Sequence, residues 1–326
     1  MRILRPLLRG MAALSVLAVV SAAALAADPG LVYPATSEVS DQKAGSVLFY
    51  NVYTSSATAP ATSDSRINIT NTSTTSAAFV HLYFVDGSTC SVADSFICLT
   101  ATQTASVLAS DTDPGTTGYV VAIAVDGVIG CPFSFNFLIG TESVRFATGH
   151  TAKLGAEAFS ALYTGSLPGC DANSVTATVP FNGVTYNLAP RVLASASVPS
   201  PADGNDSLLI VNRFGGNLLT SASTIGNIFG LFYDDAENTF SYTFTGGNCQ
   251  FRSSISDAFP RTVPRISSII PAGRTGWTKF WSTADIALLG AQIDLNLHGG
   301  GGGVNLHKLT LSAGATLIVP VFAPAC

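Results

Sequence analysis

Short runs of alternating apolar and polar residues recur along this chain. In one of them, Ile67 and Ile69 point to one face of an extended segment, and the polar residues between and around them point to the other. Similar runs, rich in β-branched and aromatic residues, lie at 78–85, 105–108 and 118–125. Clusters of Asn, Asp, Ser, Gly and Pro separate the runs and favour turns. The pattern predicts short antiparallel strands, and a second sheet must cover the apolar face of the first.

A weaker copy of this pattern returns in the second half of the chain. Four blocks recur in the same order: GSVLFYNVYTS (45–55) with PRVLASASVPS (190–200), DSRINITN (64–71) with DSLLIVN (206–212), HLYFVDG (81–87) with GLFYDDA (230–236), and DPGTTGYVVA (113–122) with PAGRTGWTKF (271–280). The match aligns Leu82 with Leu231 and Gly118 with Gly276. We interpret the conserved order of the blocks as the trace of an internal duplication.

The predicted fold class is therefore all-β, with two tandem immunoglobulin-like antiparallel β-sandwich domains and at most one or two short helices. The predicted segments are a signal peptide, a leader, a first sandwich and a second sandwich, at 1–26, 27–43, 44–170 and 171–326. Leu154, Ala158 and Ala161 fall at roughly helical spacing, so the stretch 140–163 is the best helical candidate.

The first 26 residues have the pattern of a secretory signal peptide. Three arginines, an apolar stretch at 11–24 and the small-residue site Ala24-Leu25-Ala26 follow in the expected order. The sequence therefore predicts export, to the periplasm, the cell surface or the medium, and a mature protein that begins at Ala27. No later stretch is apolar and long enough to predict a transmembrane segment.

Low charge narrows the class of partner. Three of the 15 Lys and Arg residues lie in the signal peptide, which leaves 12 against 20 acidic residues. This balance argues against nucleic acid as a partner, because nucleic-acid binding depends on basic patches. Charged residues make up only 11% of the chain, so Ser, Thr, Asn and Gly must cover much of the surface. Such a surface is typical of an extracellular protein that is either glycosylated or packed against neighbouring proteins.

Six cysteines follow the signal peptide: Cys90, Cys98, Cys131, Cys170, Cys249 and Cys326. An even number in an exported chain indicates disulfides. Six cysteines allow about 15 pairings, and the sequence does not choose among them. The pairing that we favour is Cys90–Cys98, Cys131–Cys170 and Cys249–Cys326. A zinc site is the alternative, but no CxxC or CxxH spacing supports it.

Catalytic motifs are missing from the sequence. There is no GxSxG, HExxH or phosphate-binding loop, and the chain has four histidines, none within a recognisable triad. The sequence therefore predicts a protein without catalytic activity and without a cofactor. An enzyme of unrecognised type is the alternative, and it would bring His150 together with Glu142, Glu157 or Arg145 in one deep pocket.

Two sets of residues are weak candidates for ligand binding. Asp111, Asp113 and Asp126 could supply hard oxygen ligands to calcium, although turn formation by their side chains is the favoured interpretation. His298 and His307 flank a glycine run and could bind a metal only with a third ligand.

Aromatic residues provide the second kind of candidate site. Trp277 and Trp281 lie four residues apart and could stack against sugar rings. The other aromatic residues of the strands, among them Phe232 and Tyr233, are expected in the core.

The blocks INITNTS, VHLYFVDGSTC, DSFICLT and DPGTTGYVVA, with the ending NLHKLTL and VPVFAPAC, resemble uncharacterised exported bacterial proteins with immunoglobulin-like β-sandwich repeats. The resemblance implies no active site. The function predicted from the sequence is a structural or adhesive protein of the bacterial envelope or matrix. The alternatives are an extracellular glycan- or calcium-binding module and a fibre subunit assembled by strand addition through a short edge strand at 31–33 of the leader. The expected partners are copies of itself, other surface proteins or glycans.

Overall fold

The computed structural model describes residues 38–298, 300–312 and 314–325. The predicted signal peptide, the leader strand at 31–33 and Cys326 lie outside the described residues. The described residues all belong to one compact unit. The predicted boundary between two domains, after residue 170, stays a prediction.

The described residues are almost entirely strands and turns. The strands are β1 (Val47–Thr54), β2 (Asp64–Asn71), β3 (Ala78–Asp86), β4 (Val92–Leu99), β5 (Thr104–Leu108), β6 (Thr117–Val125), β7 (Leu138–Arg145), β8 (Thr151–Gly155), β9 (Glu157–Phe159), β10 (Thr176–Phe181), β11 (Ala189–Pro199), β12 (Asn205–Phe214), β13 (Gly216–Asn217), β14 (Ser221–Ala222), β15 (Gly226–Asp234), β16 (Thr239–Gly246), β17 (Gln250–Ser254), β18 (Thr275–Ser282), β19 (Ala287–Asn296), β20 (Gly301–Asn305), β21 (His307–Ser312) and β22 (Ala315–Pro320). The helices are α1 (Ala109–Thr112), α2 (Ile266–Ile269) and a 3₁₀ turn, Pro201–Asp203.

The helix predicted within 140–163 is absent, because this stretch forms β7, β8 and β9. Its backbone pairs with strands on both sides: β7 lies between β2 and β8, and β9 extends the edge beside β1. Pairing with these strands outweighs the helical spacing of Leu154, Ala158 and Ala161, because tertiary contacts override local propensity.

The strands form five small sheets. Their strand orders are β4-β3-β6-β1-β9 (sheet I), β5-β2-β7-β8 (sheet II), β10-β22-β13-β14 (sheet III), β16-β15-β18-β11-β21 (sheet IV) and β17-β12-β19-β20 (sheet V). All ladders are antiparallel except the short pairing of β13 with β22. The sheets are arranged as in a five-bladed β-propeller. The predicted pair of tandem immunoglobulin-like sandwiches is therefore wrong, whereas the expectation of an all-β protein with very short helices is confirmed.

The sandwich prediction failed because it gave each sheet only one covered face. Every residue of β1 is buried, and so are eight of the nine residues of β6. Strands that are buried on both faces must have neighbouring sheets on both sides. On one side of sheet I, Leu48 and Leu82 pack with Ile67 and Ile69 of sheet II, the two residues that the alternation assigned to a buried face.

On its other side, sheet I packs against sheet III through aromatic rings. Phe159 of β9 lies in edge contact with Phe181 of β10, at a centroid separation of 4.9 Å, and stacks on Phe214 at 4.8 Å. Phe49 of β1 belongs to the same buried cluster, with Tyr119 at 5.0 Å. Aromatic pairs at these separations add to the stabilisation from burial alone.

The duplication is visible in the strand order. Strands β1 to β9 can be matched in chain order to β11, β12 and β15–β21. With this matching, sheet IV has the same strand order as sheet I, and sheet V has the same strand order as sheet II. Even an irregularity is repeated: β1 shifts register between Tyr50 and Tyr53, and β11 between Ser195 and Val198. These equivalences support an internal duplication, and all four matched sequence blocks fall on equivalent strands.

One of the sequence matches is displaced by a residue. In the ladders, Asp86 pairs with Gly118 and Asp234 pairs with Gly276, so the equivalent of Asp86 is Asp234. The sequence match of Leu82 with Leu231 is therefore wrong, and the ladder position of Leu231 corresponds to Tyr83. A shift of one residue matters because it moves a side chain to the opposite face of the sheet.

Buried amide side chains connect the two halves of the duplication. Asn212 donates from Nδ2 to the backbone oxygen of Asn51 at 2.8 Å. Gln250 donates to Asn212 Oδ1 at 2.8 Å and to the backbone oxygen of Gly118 at 2.9 Å. The bonds to Asn51 and Gly118 cross between the halves, and they pair buried polar groups that would be costly to leave unpaired.

Two glutamates are also buried. Glu157 Oε1 forms an ion pair with Lys308 Nζ at 2.7 Å, and burial nevertheless raises the pKa of Glu157 to about 7. Burial raises the pKa of Glu142 well above its ordinary value, and the charge of Glu157 raises it further. Both acids therefore bind a proton more tightly in the folded than in the unfolded chain.

We predict that the protein loses stability as the pH rises from about 4.5 to above 7. In this window the unfolded chain has released the proton of Glu157 while the folded chain still holds it, so the free energy of unfolding falls with pH. The loss from Glu157 alone is roughly 3 kcal/mol. Urea unfolding at several pH values measures it. Glu157→Gln should flatten the profile, and the exposed control Glu237→Gln should not. Equal slopes for all three proteins would contradict the prediction.

Candidate functional site

The outer face of sheet IV carries a row of aromatic side chains. Along β15 and β18 every second residue is buried against sheet V, among them Phe232 and Phe280. The residues between them point away from that core. Six of the outward residues of the two strands form what we call the aromatic face; they are Phe229, Leu231, Tyr233, Trp277, Lys279 and Trp281, and all six are partly exposed.

The ladder places these side chains opposite one another. Tyr233 pairs with Trp277, and their rings are stacked at 4.2 Å with planes 7° apart. Phe229 pairs with Trp281, with ring centroids 5.2 Å apart. Lys279 lies between the two tryptophans along β18, and its Nζ is 5.7 Å from the centre of the Tyr233 ring. Cross-strand contacts of this kind fix ring orientations before any ligand arrives.

Hydroxyl groups border the aromatic face on one side. The outward residues of β16 are exposed and small or polar: Thr239, Ser241, Thr243 and Thr245. Thr245 donates to Asn227 Oδ1 at 2.8 Å. At the tip of the β15–β16 hairpin, Arg274 Nε donates to Asp235 Oδ2 at 2.7 Å. The site is thus apolar in the middle, with hydrogen-bonding groups at its edges.

In sheet I the equivalent face is buried. The ladder equivalents of Trp277, Lys279 and Trp281 are Tyr119, Val121 and Ile123, which are buried in the cluster that includes sheet III. In sheet IV the same positions hold larger or charged side chains that retain contact with solvent. The second copy therefore keeps the frame of the first but exposes the face that the first copy covers.

The structure brings the two predicted tryptophans together on one strand face and adds residues that the sequence analysis missed. Tyr233, expected in the core, instead lies outward beside Trp277. Phe229 lies outward on the same strand, beside Trp281. The sequence does contain a signal for both residues. Phe229 and Tyr233 alternate with buried positions along β15, and β15 pairs with β18 just as the equivalent strand β3 pairs with β6.

Two of the three aspartates proposed for calcium hold turns through their side chains. Asp113 accepts hydrogen bonds from the hydroxyls of Tyr53 and Thr116. Asp126 Oδ1 accepts from the backbone amides of residues 128 and 129, at 2.8 and 3.0 Å. Asp111 is exposed. Within the described residues, no group of three or more His, Cys, Asp or Glu side chains is placed to hold a metal ion, including at His298 and His307.

The constellation that would indicate an unrecognised enzyme is not formed by the described residues. His150 is buried in a cleft of about 540 Å³ with Arg252 and Asp206. Its Nδ1 lies 2.9 Å from the hydroxyl of Thr148. Glu142 and Glu157 are buried elsewhere, and Arg145 lines a different, open cleft.

A histidine relay that the sequence analysis did not find lies in sheet I. His81 Nε2 is 2.7 Å from Asp94 Oδ2, and the hydroxyl of Tyr83 is 2.7 Å from His81 Nδ1. Burial lowers the pKa of His81, which Asp94 partly counteracts, and burial raises the pKa of Tyr83 well above its ordinary value. A neutral imidazole that donates to Asp94 and accepts from Tyr83 satisfies all three groups. Because Tyr83 is buried, its hydroxyl cannot reach a substrate.

The cysteines follow the predicted pairing only in part. Cys131 and Cys170 form a disulfide, as expected. Cys98 is disulfide-bonded, but not to Cys90, which is a free, buried thiol. Cys249 is also a free, buried thiol, so the predicted bond to Cys326 is not formed; Cys326 lies outside the described residues. The predicted Cys90–Cys98 bond is wrong, because the chain turns Cys90 toward Cys249 instead.

The chain matches no protein-family model, no curated protein sequence and no solved structure. No helix among the described residues is long and apolar enough to cross a membrane. The resemblance to exported bacterial proteins therefore stays a prediction, and the function must be argued from the site itself.

We predict that Tyr233 and Trp277 stabilise each other across the strands. In a double-mutant cycle with alanine at both positions, measured by urea unfolding, the coupling free energy should be about 1 kcal/mol. A control cycle with Trp277 and Phe137, an exposed aromatic residue outside the aromatic face, should show none. A coupling no larger than in the control would mean that the stacking is incidental.

Proposed function

We propose that this protein is an exported, non-catalytic adhesive protein that binds extended glycan chains through the aromatic face of sheet IV. The observation that carries the proposal is the open state of this face. The equivalent face of sheet I is buried, but in sheet IV two tryptophans, a tyrosine and a phenylalanine in one row stay partly exposed. Contiguous apolar surface of this kind marks an interaction site in a monomeric protein.

The chemistry of the row favours sugars over other ligands. A sugar ring has an apolar face of C–H groups and an edge of hydroxyls. Aromatic rings with fixed orientation stack on the first, and the Thr and Ser hydroxyls of β16 can hydrogen-bond to the second. Since strands rise about 3.3 Å per residue, Trp277 and Trp281 lie about 13 Å apart along β18. That distance suits several linked sugars rather than one.

The geometry also favours an extended chain without strong charge. The binding row lies on a sheet surface rather than in a deep pocket, so a ligand must offer flat ring faces in succession. Lys279 is the one charged residue of the aromatic face, while Arg274 is already paired with Asp235 at the hairpin tip. A polyanion would find a single cation, which is too few for affinity based on charge.

The low charge of the whole chain and the predicted signal peptide support an extracellular role. A glycan-binding face on an exported protein would attach it to a polysaccharide of the envelope or matrix. This combines the adhesive function and the glycan-binding alternative predicted from the sequence. The third alternative, strand addition through residues 31–33, concerns residues outside the described part of the chain.

We predict that the protein binds insoluble or soluble neutral polysaccharides and that the tryptophans carry the affinity. Co-sedimentation with a panel of polysaccharides, followed by calorimetry on the best ligand, measures binding. Trp277→Ala and Trp281→Ala should each weaken it roughly tenfold or more, because each removes a stacking surface. The control Phe137→Ala removes an exposed aromatic residue elsewhere and should bind like the wild type.

Two further readings complete the test. Circular dichroism melts of all variants separate lost binding from lost folding. The chain length of the bound polysaccharide should stay constant, since a shortened product would show hydrolysis and contradict a non-catalytic role. If the wild type binds no polysaccharide of the panel, or if the Trp277→Ala/Trp281→Ala double variant binds equally well, the proposal is wrong.

A further inference from the structure

Two free thiols meet where the halves of the duplication touch. Cys90 lies in the turn between β3 and β4 of sheet I, and Cys249 lies directly before β17 of sheet V. The backbone N–H of Cys249 donates to Cys90 Sγ at 3.1 Å. The thiol of Cys249 donates to the backbone oxygen of Asp86, in the same turn as Cys90, at 3.2 Å. The two side chains are therefore within the reach of a covalent bond.

The surrounding backbone holds the pair in place. The backbone N–H of Gln250 donates to the backbone oxygen of Gly87 at 3.2 Å. The backbone N–H of Ala222, in sheet III, donates to the backbone oxygen of Cys90 at 3.0 Å. Cys90 itself has a positive φ of 63°, a conformation uncommon for residues other than glycine. Two segments distant in the sequence, at Ala222 and at Cys249–Gln250, thus contact the turn that holds Cys90, and Cys90 adopts a conformation with a backbone cost.

We propose that Cys90 and Cys249 form a disulfide when this protein folds in an oxidising compartment. The bond would join the two halves of the duplicated chain covalently, in addition to the Cys131–Cys170 bond that the structure contains. This inference does not depend on glycan binding.

The reaction requires a disulfide oxidant, either a small-molecule disulfide or the active-site disulfide of an oxidoreductase. The thiolate of one cysteine attacks the oxidant, forms a mixed disulfide and releases one thiol. The thiolate of the second cysteine then attacks the mixed disulfide, forms the Cys90–Cys249 bond and releases the second thiol. Two electrons pass to the oxidant, and both protons leave the protein thiols.

The folded environment determines when this happens. Both sulfurs are buried, and burial raises the pKa of the Cys249 thiol, so little reactive thiolate exists in the finished fold. Oxidation therefore accompanies folding, while the turn carrying Cys90 is still accessible. Once formed, the bond would also fix the chain just after β16, the strand that borders the aromatic face.

Peptide mapping of the refolded mature chain tests the proposal. The reduced, unfolded protein is refolded in a buffer of reduced and oxidised glutathione, then denatured, and free thiols are blocked with iodoacetamide. Digestion without reduction, followed by mass spectrometry, should find a peptide that joins Cys90 to Cys249 and lacks two hydrogens relative to the separate thiols. Iodoacetamide on both cysteines, or a peptide joining either one to a different cysteine, overturns the proposal. Blocking before denaturation would be uninformative, because buried thiols resist labelling in either state.

Thermal unfolding of variants gives an independent measurement. Cys90→Ala, Cys249→Ala and the double variant should lose the same amount of stability under oxidising conditions, with Tm roughly 10 °C below that of the oxidised wild type, because each removes the same bond. Cys131→Ala serves as the reference for loss of a disulfide already present in the structure. Losses that add in the double variant would show two separate packing effects and contradict a shared bond. If a variant fails to fold, the peptide map of the wild type still decides the question.

Discussion

The structure depends on one requirement, that apolar strand faces be covered by neighbouring sheets. Successive residues of a strand point to opposite sides, so each sheet offers two faces, and an exposed apolar face costs free energy in proportion to its area. Sheet I meets this requirement on both sides, between sheet II and the aromatic contacts with sheet III. Sheet IV has its fully buried core on the side of sheet V, and its other face is only partly buried. The candidate site exists because of this difference in coverage.

The duplication makes the difference informative. Sheets I and IV have the same strand order and the same register shift in the equivalent strands β1 and β11, so their frames are equivalent. What separates them is the choice of residues at alternate positions: Tyr119 is buried under a neighbouring sheet, and its equivalent Trp277 is partly exposed. The glycine before each of these residues is required by the ladder, since a Cβ on Gly118 would lie 1.7 Å from Val85 O, and one on Gly276 would lie 2.6 Å from Tyr233 O.

Local patterns in the sequence predicted the strands well. The alternation around Ile67 and Ile69 identified a buried face, and the order of the repeated blocks identified equivalent strands. The arrangement of sheets was beyond such patterns, because alternation does not show how many sheets share a core. A strand that is buried on both faces, such as β1, differs in sequence from a half-buried strand only at the positions where the half-buried strand has polar residues. The helix expected in 140–163 failed for a related reason, since pairing with distant strands determined its conformation.

The candidate site was predictable only in part for the same physical reasons. Trp277 and Trp281 were identified from their spacing, but Tyr233 and Phe229 were not, because the face a residue occupies depends on strand register to a single position. The Tyr83–His81–Asp94 relay joins adjacent strands across a ladder, and Cys90 approaches Cys249 across the interface between halves. Contacts between residues so far apart in the chain follow from topology, which no local pattern contains.

The alternation of β18 has a consequence for how such a surface can diversify. Thr278 and Phe280 hold the strand against the core, whereas Trp277, Lys279 and Trp281 do not take part in that packing. Exchange of the outward side chains therefore leaves the inner frame unchanged. Sheet IV can therefore acquire new binding properties through substitutions of its outward residues that the fold tolerates. Sheet I, whose equivalent face is buried, preserves the architecture of the molecule.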